Sequence, residues 1–234
     1  MNPTDLFAAA FSDFAGGGGD TGKFTVRVKE LSERDRRHLL MHFLGLDDSD
    51  RLLRFGTRLS DELITRYVQR MNFARDTVFG VYDSKFNLVG VGHLAFAPRE
   101  ALPLVSNATV KERVAEFGLS VSASARGMGI GTKLFERAAI HCRNADVDTL
   151  YMHCLASNQT MIHIAKKAGM EIHRVHNEAD AYLTLYPANP ASVLQEAVEE
   201  QVAALDYAFK SNTRMAAKYL ENLSRTGPFR DKEK

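Results

Sequence analysis

Apolar and polar residues alternate from residue 24 to 28, the period of a half-buried strand. Ser32-x-x-Asp35 then has the spacing of a capping box, with Asp in place of Glu. It starts a predicted helix carrying Leu39, Leu40 and Phe43. Ser60-Asp61-Glu62 starts a second, with Leu63, Tyr67 and Met71 inward. Residues 77–82 and 88–97 read as strands joined by the hairpin loop 83–87, and residues 98–107 as a polar, proline-bearing loop. Residues 114–121 form a strand-like run. Ile130, Leu134, Ala138 and Cys142, spaced by four, give one apolar face to a helix that reaches about Asn144. A strand at 149–155 and a helix from Asn158 to Ala168 follow, the helix closed by Gly169 at C′. Residues 170–176 and 181–186 form a last pair of strands.

Asn189-Pro190 supplies an N-cap and a first-turn proline to a long final helix. Leu194, Val198, Val202, Leu205, Phe209, Ala216, Leu220 and Leu223 line one of its faces, and Gly227-Pro228 ends it at the latest. So long a helix is expected to bend or break. Its stripe should bury against the helix's own domain or, alternatively, against a second copy in a homodimer. At the other end, residues 5–11 could form a short amphipathic helix that Gly16–Gly19 breaks, so residues 1–23 read as a mobile arm. The expected division is an arm at 1–23, a folded domain at 24–186 and a helical extension at 187–234.

Composition narrows the classes. With 45% hydrophobic and 25% charged residues among 234, the profile is that of a soluble globular chain. A net charge of +1 gives no field that would point to nucleic acid or an anionic membrane. No apolar run approaches a membrane span, and the N-terminus lacks the pattern of a secretory signal. Cys142 and Cys154 form neither a metal-ligand spacing nor a C-x-x-C, which reads as reduced thiols in a cytoplasmic protein without a metal.

The chemistry concentrates at Arg126-Gly127-Met128-Gly129-Ile130-Gly131-Thr132, between a strand and a helix. Glycines there let the backbone turn sharply and approach a ligand. The N–H groups of residues 127–132 and the helix dipole favour an anion, typically a phosphate, and Arg126 adds a charge that can fork onto its oxygens. Thr132 occupies the third glycine position of a dinucleotide fingerprint, and no glycine of this turn is followed directly by the lysine of a P-loop.

The spacing that fits is [Gln/Arg]-x-x-Gly-x-[Gly/Ala], as Arg126-x-x-Gly129-x-Gly131, and here the sequence resembles the GNAT superfamily of acyl-CoA-dependent N-acyltransferases. The run Asn158-x-x-Met161…Ala168-Gly169-Met170 is similar to that family's second motif, and the element order matches from about residue 24 to 186. Residues 50–55, with Arg54-Phe55, are similar to the Arg-Phe segment of family members that act on protein lysines. The resemblance implies a mixed α/β fold, a mostly antiparallel sheet of about seven strands flanked by helices, with the long helix appended. It implies acetyl-CoA as acyl donor, its pyrophosphate on residues 126–132, and contacts from Leu119, Ser120, Val121 and Asn158. It also implies direct attack on the thioester by a primary amine of a small molecule or protein, with a backbone N–H near Leu119–Val121 holding the oxyanion.

An ordinary lysine amine, with a pKa near ~10.4, is about one part in a thousand neutral at pH 7, so a base or a desolvating pocket is needed. Glu116, which alternation puts on one strand face with Gly118 and Ser120, is the first candidate; His93 and His153 are alternatives. Many family members place a tyrosine seven residues after the asparagine to protonate the thiolate, and here that position is Ala165. Tyr151, Cys154 and Ser157 are near in sequence, and none is assigned. Ala165 keeps open a non-catalytic acyl-CoA-binding sensor or interaction module.

Overall fold

The computed structural model describes residues 25–96 and 113–226. The 1–23 arm, the 98–107 loop and Gly227-Pro228 lie outside the described residues. A seven-stranded sheet is built from β1 (Lys29–Glu30), β2 (Thr77–Tyr82), β3 (Leu88–Phe96), β4 (Val114–Val121), β5 (Thr149–Leu155), β6 (Glu171–Val175) and β7 (Glu178–Thr184). Its order is β1-β2-β3-β4-β5-β7-β6, antiparallel throughout except between β4 and β5. The helices are α1 (Arg36–Leu44), α2 (Asp48–Phe55), α3 (Asp61–Arg70), α4 (Ile130–Asn144), α5 (Gln159–Lys167) and α6 (Pro190–Thr226).

Two apolar cores cover the two faces. Ala115, Phe117 and Leu119 of β4 meet Ile130, Leu134 and Ala138 of α4 and Ile162 and Ile164 of α5. Leu39 and Phe43 of α1 and Ile64 and Val68 of α3 pack on Val78, Tyr82 and Val91. Strand alternation divides β4 between these layers, which leaves Glu116, Gly118 and Ser120 on the side away from α4.

Several elements depart from the sequence reading. Val26 and Val28 pack against the core without ladder pairing, and the first strand is confined to Lys29 and Glu30. Helix α2 forms where none was expected. Asp47 caps it by accepting from the Asp50 N–H at 2.8 Å, and Gly56 closes it at φ 71°. On α3 the inward row is Ile64, Val68 and Met71, while Leu63 is exposed. Strand β7 begins at Glu178, immediately after a tight turn in which His176 has φ 54°.

Helix α6 departs most. It runs unbroken for 37 residues. Asn189 caps it as expected, accepting from the Ser192 N–H at 2.8 Å. The expected apolar stripe points outward, with Leu205 72% and Phe209 70% exposed, so it does not bury against its own domain. Polar groups dock the helix instead. The buried Arg137 guanidinium reaches Glu196 at 2.6 Å and Glu200 at 3.3 Å, and His141 and Asn144 also bond Glu196. Burial opposes ionisation of Glu196, yet the hydrogen bonds from His141, Arg137 and Asn144 hold its pKa down at about 2. Further along, the Tyr207 hydroxyl donates to Asp35 at 3.0 Å and the Lys210 ammonium to the Tyr82 carbonyl at 2.8 Å.

Candidate active site

The glycine turn follows β4 through a short 3-10 turn at Ala123–Ala125. Gly127 and Gly129 both take φ +75°, and a Cβ on either would have nothing within 4 Å, so the backbone conformation alone requires glycine there. Gly131 differs: a Cβ would lie 3.0 Å from Ile164 Cδ1 and 3.2 Å from Leu119 Cδ2. It brings α4 close to α5 and β4. The first turn of α4 carries no acidic residue and no side-chain cap, which leaves its N–H donors for an external acceptor. Arg126, half-exposed, forms an ion pair with Asp50 of α2. That carboxylate stands where a phosphate oxygen could stand, so the donor set suits an anion. A groove of about 830 Å³ opens beside the turn, lined by Met128, Gly129, Thr132 and Lys133, by Val28 and by Gln195 of α6.

Strands β4 and β5 pair only at Val114–Thr149, Ala115–Leu150 and Glu116–Tyr151. Beyond these rungs β4 continues to Val121 and β5 to Leu155 without pairing to each other, and the strands part into a cleft that leads to the turn. Leu119, Ser120 and Val121 lie on that open stretch. The Leu119 side chain is in the core, and the buried Ser120 hydroxyl donates to His42 Nε2 at 2.8 Å. His42 Nδ1 in turn donates to the Leu88 carbonyl at 3.0 Å. Burial pulls the His42 pKa down to about 4, which keeps the ring neutral and Nε2 an acceptor. Asn158 accepts from the Met161 N–H at 3.1 Å as the cap of α5, and its amide donates to the Leu53 carbonyl of α2 at 3.4 Å. Helix α2 is thus tied to both ends of the cleft, to Arg126 on one side and Asn158 on the other.

Glu116 sits on the last paired rung, exposed, its carboxylate in no hydrogen bond or ion pair among the described residues. Beside it the Tyr151 hydroxyl donates to Asp180 at 2.6 Å, and His153 Nδ1 contacts the same oxygen at 2.8 Å. Burial and the Asp180 carboxylate push the Tyr151 pKa up, so its proton stays committed to Asp180. Those same two bonds, from Tyr151 and then His153, lower the Asp180 pKa.

His93 faces Gly118 across β3 and β4. Its Nδ1 accepts from the Tyr67 hydroxyl at 3.0 Å and its Nε2 lies 3.5 Å from Asp76. Burial first, and the Arg54 charge second, lower the His93 pKa to about 4. Arg54 packs directly over Gly118, where a Cβ would come within 2.7 Å of the guanidinium, and donates to the Tyr67 hydroxyl at 3.2 Å. Its Nε is buried without a partner among the described residues.

Ala165 is 2% exposed within the core between α5 and the sheet, and its methyl group offers no proton donor. Cys154 also points into that core, and burial raises its thiol pKa. Ser157 is exposed beyond the end of β5. Sequence reasoning missed His42, Asp50, Tyr67 and Asp180. The signal for His42 was its place on the apolar face of α1 with Leu39; Asp50, Tyr67 and Asp180 carry none without the fold. Among the described residues no group of His, Cys, Asp and Glu is arranged to hold a metal ion, and no helix is long and apolar enough to cross a membrane.

Comparison with curated protein sequences finds no match. Among solved structures, the chain is similar to the GNAT domain of S. lividans PAT, with TM-score 0.57 and 18% identity over 69% of this chain and 92% of that one. It is similar to spermidine N-acetyltransferase from Vibrio cholerae in complex with CoA and spermine, with TM-score 0.51 and 19% identity over 68% and 95%. It is also similar to Arabidopsis thaliana NAA60 in complex with acetyl-CoA, with TM-score 0.52 and 13% identity over 68% and 98%. These likenesses carry the fold. The family model for the Acetyltransferase (GNAT) family matches residues 50–170, which include the cleft, the glycine turn and both sequence motifs. More than half of the chain is covered by that match, and the chain belongs to the GNAT acetyltransferase family.

Proposed function

We propose that the protein transfers an acetyl group from acetyl-CoA to a primary amine by direct attack of the amine on the thioester. The observation that carries this reading is the alignment of two features: the gap between β4 and β5, and the uncapped glycine turn at its end. The open edge of β4 at Leu119, Ser120 and Val121 would hold the amide-bearing arm of the donor. Residues 126–132 would take its pyrophosphate, and Asn158 would fix the opposite rim. The donor supplies an activated acyl carbon.

Glu116, exposed at the point where the strands part, would take the ammonium proton directly or through water. A backbone N–H of residues 119–121 would steady the oxyanion. Of the alternative bases, His93 is neutral at pH 7 but holds its Nδ1 lone pair against the Tyr67 hydroxyl. His153 is the more accessible, tied by Nδ1 to Asp180. The burial of Ala165 favours thiolate departure without help from that position, and it also sustains a second reading, an acyl-CoA-binding module without turnover.

Two measurements separate these readings. Acetyl-CoA should raise the melting temperature, because a ligand bound only to the folded state stabilises it. Gly129→Glu should abolish the shift; an unchanged shift would remove the turn from the site. Release of CoA thiol, accelerated by members of an amine panel, identifies the enzyme. A thermal shift without amine-dependent release leaves the binding module.

A further inference from the structure

The outward face of α6 is built to be covered. From residue 193 to 220 the exposed positions include a single charged side chain, Lys218, while the charged groups Glu196, Glu200, Asp206, Lys210 and Arg214 turn toward the helix's own domain. This inverts the pattern of a helix that ends at solvent. Two adjacent rows run along the exposed face. One is Leu194, Val198, Leu205, Phe209, Ala216 and Leu220; the other is Val193, Ala197, Ala204, Ala208, Met215 and Tyr219. Both follow the same spacing of four, seven, four, seven and four. That is an 11-residue repeat, about 3.67 residues per turn, which keeps a seam nearly straight along an α-helix.

We infer that a second copy of this chain covers the face, with the two α6 helices packed antiparallel about a two-fold axis near residues 206 and 207. In such an isologous pair residue i faces partner residue j and j faces i, with the sum of the two numbers constant along the helix. With this axis, Leu205 faces the partner's Ala208 and Phe209 the partner's Ala204. Val198 faces the partner's Met215, and Ala197 the partner's Ala216. Large residues meet small ones at the centre, as close helix packing requires. The two amides interrupting the seam, Gln201 and Asn212, fall opposite each other and can hydrogen-bond across it, which fixes the register. Lys218, the one exposed charge, lies to the side of these two rows and so outside the seam.

A parallel pair about a two-fold axis along the helices would stack each residue on its own copy, putting Phe209 on Phe209 and Ala204 on Ala204. The size complementarity would then be lost. The area also fits. Eight large apolar side chains on this face are 52–72% exposed, and at about 100 Å² each they offer roughly 800 Å² per protomer, the size of a standard stable interface.

Light scattering after gel filtration tests the proposal on the full chain. The expected mass is twice 26.1 kDa. Leu205→Glu and Phe209→Glu each change only exposed positions, so each should give a folded monomer with the wild-type far-UV spectrum. For orientation, the Leu205→Cys/Ala208→Cys double variant should form an interchain disulfide on mild oxidation, and Val193→Cys alone should not. Four results would overturn the proposal: a monomeric wild type at about 100 μM, a dimer that survives both Glu variants, efficient cross-linking through Val193→Cys alone, or a monomer that floats with lipid vesicles through this face.

Discussion

Replacing Asp50 with Asn should tighten acetyl-CoA binding. In the structure the Asp50 carboxylate holds the Arg126 guanidinium, so an incoming pyrophosphate must compete for that charge. Two unit charges ~4 Å apart attract by about 4 kcal/mol at an effective dielectric of ~20. That is an upper bound here, because Arg126 is 52% exposed and exposed pairs are worth ~0–1 kcal/mol. With Asp50 only 13% exposed, the upper end of that range applies, about 1 kcal/mol, or roughly fivefold in Kd. Isothermal titration with acetyl-CoA should show that gain at low salt and a smaller one at high salt. The Asp50 carboxylate does not cap α2, a role that belongs to Asp47, so the fold should tolerate the change. In an Arg126→Gln background the same substitution should bring no gain, since the competition it relieves is gone. If Asp50→Asn weakens binding or leaves it unchanged in the wild-type background, the carboxylate positions Arg126 and does not compete for it, and the reasoning fails.

Glu116→Gln should lower amine-dependent turnover by about 10²–10⁴-fold and leave the acetyl-CoA thermal shift in place, while near-wild-type turnover would assign the proton to solvent or His153. His42 and His93 titrate near 4 when folded and near 6.5 when unfolded, so the unfolded chain binds more protons between those values. Stability measured by denaturant titration should therefore be full above pH 6.5 and fall by about 3 kcal/mol per histidine as pH drops toward 4; His42→Gln that leaves this slope unchanged would remove His42 from the effect. Ala165→Tyr adds a ring to a filled core and should lower stability by roughly 1–3 kcal/mol without gain in turnover, and higher turnover at unchanged stability would show that the position opens to the cleft.

Much of the sheet was legible because its signals are local. The turn between β4 and α4 announces itself through glycines at φ +75°, a backbone that other residues adopt only under strain, and β4, β5 and α4 fall at the residues expected from periodicity. The failures have a different origin. Asp48–Phe55 is only eight residues long, too short for periodicity to identify a helix, and it is specified by a cap at Asp47 and by contacts to strands far away in sequence. The stripe on α6 was visible, but its direction was not. What turns it outward is Arg137, a charged residue 2% exposed on the far side of α4, whose partners Glu196 and Glu200 decide which side of the helix faces in. Periodicity records that a face is apolar and carries no information on whether the same molecule covers it. At the cleft the residues were readable one at a time, as with Glu116 and Asn158. The couplings between them were not, because Asp50–Arg126 and Arg54–Gly118 join segments more than 60 residues apart.

The three-rung ladder between β4 and β5 has a mechanical consequence. It divides the sheet into a panel of four strands and a panel of three, each fully laced by antiparallel pairing. Beyond Glu116 nothing in the ladder resists separation, so the two panels can flex about that short seam, as a book moves on its spine, without breaking one interstrand bond. The stiffness of the joint is set instead by α4 bridging above, and by α2, which clasps Arg126 and the Asn158 amide on the other face. Compliance is thus concentrated in the one direction that widens the gap, while each panel stays rigid to bending and shear.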